Sequence, residues 1–101
     1  MITFQIDIPF IQIKNFCQRW GIREFGLFGS VLRDDFNQNS DIDVLVSFDK
    51  GLGISLFDIA QMKIELELIF KRPVDILEKE ALRNPYRKRQ ILETFQVIYE
   101  A

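Results

Sequence analysis

Hydrophobic positions along the chain switch between helical and strand-like spacing. Phe10, Ile13, Cys17 and Trp20 recur at helical intervals with Phe16 beside them, which predicts an amphipathic helix over 9–20. Residues 1–8 read as an extended lead-in. Pro9 stands where a first helical residue is expected, Asp7 is placed to cap it and Gly21 to end it. Ile22 to Phe28 is short and apolar-rich and predicts a strand. Gly29-Ser30 breaks it, a short helical turn follows over 30–34, and the turn-rich DFNQNS of 35–40 reads as a loop. In DIDVLVSF, Ile42, Val44, Val46 and Phe48 alternate with their neighbours, so 41–48 is the clearest strand. Asp49-Lys50-Gly51 then turns the chain.

Ser55 can cap a long helix over 56–71. Its apolar residues form two adjacent stripes: Phe57, Ala60, Ile64, Leu68, and Ile59, Met62, Leu66, Ile69. IELELI within it alternates as a strand would, but the uninterrupted length favours helix. Residue by residue, core packing is the expected role of both stripes, with a partner surface as the alternative. Pro73 precedes a short strand, Val74–Leu77, and Asn84-Pro85 opens a last helix carrying Ile91, Leu92 and Phe95. The tail Val97–Tyr99 either extends that helix or adds a strand. Arg87-Lys88-Arg89 reads as a solvated helix face, or as a contact to nucleotide, RNA or a partner. This order of elements predicts an α+β domain, α/β-like in its alternation, with a small sheet and helices packed on it.

Composition narrows what such a domain can do. At 101 residues, 1–101 is one domain of ordinary globular make-up. Thirteen Lys and Arg against 15 Asp and Glu leave a net charge of -2, which argues against coating nucleic acid, so no direct DNA binding is expected. No apolar run is long enough to span a membrane, and MITFQIDIPF lacks a basic leader region. With the lone Cys17, expected to be an inert buried thiol, this points to the cytoplasm. The chain has no histidine, which removes His-based triads, His general bases and His-containing metal sites. A single cysteine removes disulfides and multi-Cys metal centres. Chemistry is left to carboxylates, hydroxyls, Lys, Arg or a metal bound through oxygen.

Two places supply such chemistry. Asp41 and Asp43 are two apart on a strand, so both side chains leave the face opposite Ile42, Val44 and Val46. Side by side they repel, and a hard divalent cation such as Mg²⁺ relieves the conflict. Alone, such a pair is commonly just surface acid. Gly29-Ser30 lies between a predicted strand and a helical turn, where free backbone N–H groups favour an anion and glycine permits close approach. Ser30 can donate its hydroxyl to a phosphate oxygen, and Arg33, one turn on, can reach the same anion. Gly-Ser, ten residues, then Asp-x-Asp matches by chance on the order of once in a thousand chains this long.

FGLFGSVLRDDFNQNSDIDVLVSF resembles the signature of the nucleotidyltransferase superfamily that includes DNA polymerase beta, and more narrowly the minimal nucleotidyltransferases (MNT) that serve as antitoxins to HEPN ribonuclease toxins. The resemblance covers roughly residues 10–100. It implies a small mixed sheet of the polymerase beta-like type. It implies a third carboxylate on a later strand, and Asp75 in PVDIL fits. It assigns Asp41, Asp43 and Asp75 to metal binding and catalysis, with two Mg²⁺, and Gly29, Ser30 and Arg33 to the nucleotide. A frequent variant has glycine after the arginine, where this chain has Asp34. The implied reaction is Mg²⁺-dependent transfer of AMP from ATP to a hydroxyl, a tyrosine's, of a cognate HEPN toxin held in a hetero-oligomer. The alternatives are a binding-only antitoxin that masks its partner, and a transferase acting on a small molecule or RNA.

Overall fold

The computed structural model describes residues 4–49 and 51–101. Lys50, in the predicted 49–51 turn, and the first three residues of the lead-in lie outside them. Helix α1, Phe10–Trp20, buries Ile13, Phe16 and Cys17. Phe10 shares their spacing yet is 57% exposed, because it sits on the first turn, beyond the edge of the core. Pro9 is the N-cap rather than the first helical residue, and Asp7 does not cap it: no side chain bonds the helix start. Gly21 closes α1 in the left-handed conformation its lack of a Cβ permits (φ 68°).

Strand β1, Ile22–Phe28, runs directly into a 3-10 turn, Gly29–Leu32, one residue earlier and shorter than the predicted turn. Strand β2 is Ile42–Phe48. Helix α2, Leu56–Phe70, opens with a capping box in which Ser55 Oγ accepts from the Asp58 N–H and Asp58 accepts from the Ser55 N–H. The alternating IELELI is helical. Strand β3, Val74–Glu78, a short 3-10 turn, Lys79–Ala81, helix α3, Pro85–Thr94, and strand β4, Gln96–Glu100, complete the chain. Asn84 Oδ1 caps α3 by accepting from the Tyr86 and Arg87 N–H groups. The tail adds a strand; it does not extend the helix.

The sheet order is β3-β2-β1-β4. β1 lies antiparallel to both β2 and β4, and β2 lies parallel to β3. The parallel pair needs a crossover, and α2 provides it. Ile42, Val44, Val46 and Phe48 of β2 face α1 and α2 with Phe25, Leu27 and Val74, and this is the core. Phe16 and Phe25 meet edge to face across it, with ring centroids 6.2 Å apart. Burial pushes the Cys17 thiol up to about 12, as expected of an inert buried thiol. Arg19 and Trp20 both donate to Glu65 Oε1, tying the end of α1 to α2.

The other face of the sheet carries Gly26, Asp43, Leu45, Ser47 and Asp75. The Phe95 ring lies against Gly26 so closely that any Cβ there would collide with it. None of the described helices is long and apolar enough to cross a membrane.

On α2 the two stripes part company. Met62 and Leu66 are fully buried, with Ile59 and Ile69 partly so, whereas Phe57 is 89% exposed and Leu68 74%, with Ala60 and Ile64 also exposed. The expectation of core packing fails for this second group. A helix lying on one sheet face buries one stripe, and among the described residues nothing covers the adjacent one. Leu66→Ala is expected to cost about 2–5 kcal/mol, and Leu68→Ala less than about 0.5 kcal/mol. Urea denaturation of the two variants checks this.

Candidate active site

Asp41 immediately precedes β2 and Asp43 is its second residue, so their side chains leave the sheet on the same side. The register of the parallel pair sets Asp75 of β3 directly opposite Asp43. On the other flank Asp43 pairs with Phe28, the last residue of β1, and the chain then turns through Gly29. Gly29 has φ +77°, and a Cβ there would collide with Asp43 Oδ2. Glycine is therefore required twice over, by conformation and by the carboxylate beside it.

Several contacts fix this corner. Ser30 Oγ donates to the Asp41 carbonyl over 3.5 Å, joining the turn to the start of β2. The Ile42 N–H donates to Pro73 O at 2.9 Å, which begins the β2–β3 pairing. Glu67 of α2 accepts from the Val74 N–H at 3.0 Å, and Lys63 donates to Val74 O and pairs with Glu67 at 3.2 Å. Arg72 donates to the carbonyls of Asn37 and Ser40, at 2.9 and 3.1 Å, and lies over the Phe36 ring at 4.4 Å. It thereby pins the 35–40 loop that delivers Asp41.

Burial holds the Asp43 carboxyl above the ordinary carboxylate range, and the charges of Asp75 and Asp41 add to this. The guanidinium groups of Arg33 and Arg87 pull the other way without cancelling it. The pocket is thus a place where negative charge is crowded and a cation or proton is welcome. Among the described residues no three His, Cys, Asp or Glu side chains are grouped so as to hold an ion by themselves. Asp41 and Asp75 are both exposed. A carboxylate pair of this kind suits Mg²⁺, which takes one or two carboxylates and completes its shell with water and substrate phosphate.

Beside the acids lies an open cleft of about 490 Å³, lined by Phe28, Gly29 and Arg33 on one side and by Arg87, Gln90 and Thr94 of α3 on the other. Arg33 stands there paired with Asp35 at 3.1 Å, both side chains exposed. Gly29 and Arg33 therefore meet in one cleft, while the Ser30 hydroxyl is directed to the Asp41 backbone. Arg72 is a contributor the sequence reading passed over, and Arg87, read there as a solvated face with nucleotide contact as an alternative, lies on the cleft. For Arg87 the available signal was its place one turn into a Pro-initiated helix that had to pack back onto the sheet.

Gly29→Ala is expected to lower nucleotide binding at least about tenfold and to destabilise the fold by about 1 kcal/mol or more, from the left-handed strain alone. Calorimetric titration and thermal melting check it. Asp43 carries a second expectation. A carboxyl whose pKa is raised on folding costs stability above the raised value, and the cost disappears as pH falls below the unfolded value of about 3.9. Asp43→Asn should therefore melt higher than the unsubstituted chain at pH 7, and the difference should shrink as pH is lowered towards 4.

Comparison with known proteins gives the family. Residues 11–98 match the family described as "Nucleotidyltransferase domain". Protein adenylyltransferase MntA of Thermococcus cleftensis is 32% identical over 84 residues, spanning 83% of each chain. A chain in a crystal structure of a toxin–antitoxin pair with AMP-PNP superposes with a TM-score of 0.75 at 16% identity, covering 93% of this chain and 75% of that one. A chain from the complex of tri-AMPylated Shewanella oneidensis HEPN toxin with MNT antitoxin gives a TM-score of 0.66 at 15% identity, covering 91% and 70%. At such identities the two structures speak for the fold. With residues 11–98 matched, this chain belongs to the nucleotidyltransferase family.

Proposed function

We propose that this chain is the antitoxin of a toxin–antitoxin pair and transfers AMP from ATP to a tyrosine hydroxyl of a cognate HEPN-type ribonuclease toxin, silencing it. The observation that carries the reading is the Asp43–Asp75 register pair beside Gly29, a glycine that lines a cleft with Arg33. A relative named for protein adenylylation, and a fold shared with toxin–antitoxin complexes, support the choice of reaction and partner. The exposed apolar stripe of Phe57, Ile64 and Leu68 is area such a complex has reason to bury.

In this reading Gly29, Ser30 and Arg33 bind the β- and γ-phosphates, and the α-phosphate lies towards Asp43. By the resemblance Asp41, Asp43 and Asp75 would hold two Mg²⁺, with water and substrate phosphate completing the shells that the three side chains do not close by themselves, and the ions would supply positive charge to the attacking and leaving oxygens. The acceptor oxygen forms a bond to the α-phosphorus as the bond to the α–β bridging oxygen breaks, and pyrophosphate leaves with that electron pair. The hydroxyl proton passes to the Asp75 carboxylate and then to solvent. Exposure of Asp75 suits that role, since the proton must leave and the acceptor must arrive from another molecule.

Incubated with the partner toxin, ATP and Mg²⁺, the chain is expected to raise the toxin's intact mass in steps of one AMP. Asp43→Asn should abolish the gain while the two proteins still co-elute. No mass gain, with toxin activity still suppressed by both forms, would establish masking without chemistry. Mg²⁺ should raise the melting temperature of the free chain, and should do so less for Asp43→Asn.

A further inference from the structure

We propose that Arg87 of α3 is a phosphate-binding residue, closing on the triphosphate from the wall of the cleft opposite Gly29 and Arg33. The assignment rests on the nucleotide reading above and extends it to a helix outside the Gly-Ser and Asp-x-Asp motifs. Arg87, Gln90 and Thr94 follow one another at helical spacing and line the same cleft as Gly29 and Arg33. Asn84 occupies the Tyr86 and Arg87 N–H groups, so the first turn of α3 presents the Arg87 side chain in place of bare amides. That side chain makes no ion pair among the described residues, whereas Arg33 is paired with Asp35. Glu93 is the single carboxylate on the cleft lining, so two guanidinium groups share a cleft that holds one acid. With Arg33 already paired to Asp35, Arg87 is the guanidinium on this lining left to take a phosphate. A guanidinium fork binds phosphate oxygens in pairs, which a lysine cannot do. The charge of Arg87 is also felt at Asp43, so the residue lies within electrostatic range of that carboxylate. Its neighbour Arg89 lines a separate hollow with Pro85 and Leu92 and serves as the control.

The test is calorimetric titration of the full chain, in Mg²⁺, with AMP-PNP and separately with AMP. Arg87→Ala is expected to weaken AMP-PNP binding about ten- to a hundredfold and AMP binding less than about twofold. Arg87→Lys should fall between Arg87→Ala and the unsubstituted chain, and Arg89→Ala should bind both nucleotides normally. Matching thermal melts establish that the variants are folded. Unchanged AMP-PNP binding in Arg87→Ala, or equal losses for AMP and AMP-PNP, overturns the assignment and leaves the transferase reading standing if Asp43→Asn still abolishes transfer. Equal losses in Arg89→Ala would mean a diffuse charge effect and overturn it as well. A chain that binds neither nucleotide overturns both readings.

Discussion

The parallel pairing of β2 with β3 is the constraint on which the site depends. It sets two carboxylates, Asp43 and Asp75, opposite each other. A sheet gains nothing from such a pair: like charges directly across a ladder are destabilising. The neighbouring elements hold the register against that cost. Ile42, Val44 and Val46 on the reverse of the strand are sealed in the core, and a slip of one residue would carry them to the polar face. Lys63 and Glu67 grip both backbone groups of Val74, and Arg72 clamps the loop before Asp41. Apolar burial and these hydrogen bonds together hold charge crowding at the corner where a cation and a phosphate are proposed to meet.

The two faces of the sheet divide the work. One is buried under α1 and α2 and supplies stability. The other is partly covered where Phe95 lies over Gly26, and it leaves Asp43 half-buried beside an open cleft. Half-burial matters for the chemistry. A carboxylate in open water repels its neighbours weakly and has little need of a counter-ion, whereas a sealed one could not reach substrate.

The elements were legible where period and punctuation agreed. Ile42–Phe48 alternates, Ile22–Phe28 is a short apolar-rich run between glycines, and Gly21, Ser55 and Asn84-Pro85 mark helix ends by local backbone chemistry. The meeting of the Gly-Ser turn with Asp43 was legible in the spacing of the two motifs, and the space that a Cβ at Gly29 would need is taken by that carboxylate. Asp7 was misread because a residue two before a proline N-cap has no helical N–H within reach. The α2 stripes were misread because periodicity reports that a residue is apolar, not which of two apolar faces the sheet will cover. Arg72 was illegible because it acts on a segment distant in sequence, the 35–40 loop, and Arg87 could not be told from its equally charged neighbours until the fold set it on the cleft with Gly29.

Asp43 sits in a crowded, partly dry corner with Asp75 across the strand pair. Titration of the Asp43 side-chain carbon by NMR, in the unsubstituted chain and in Asp75→Asn, addresses it most directly. The account predicts a midpoint above the ordinary carboxylate range, moving down in Asp75→Asn but staying raised by burial. An ordinary midpoint, or one that Asp75→Asn leaves in place, would contradict it.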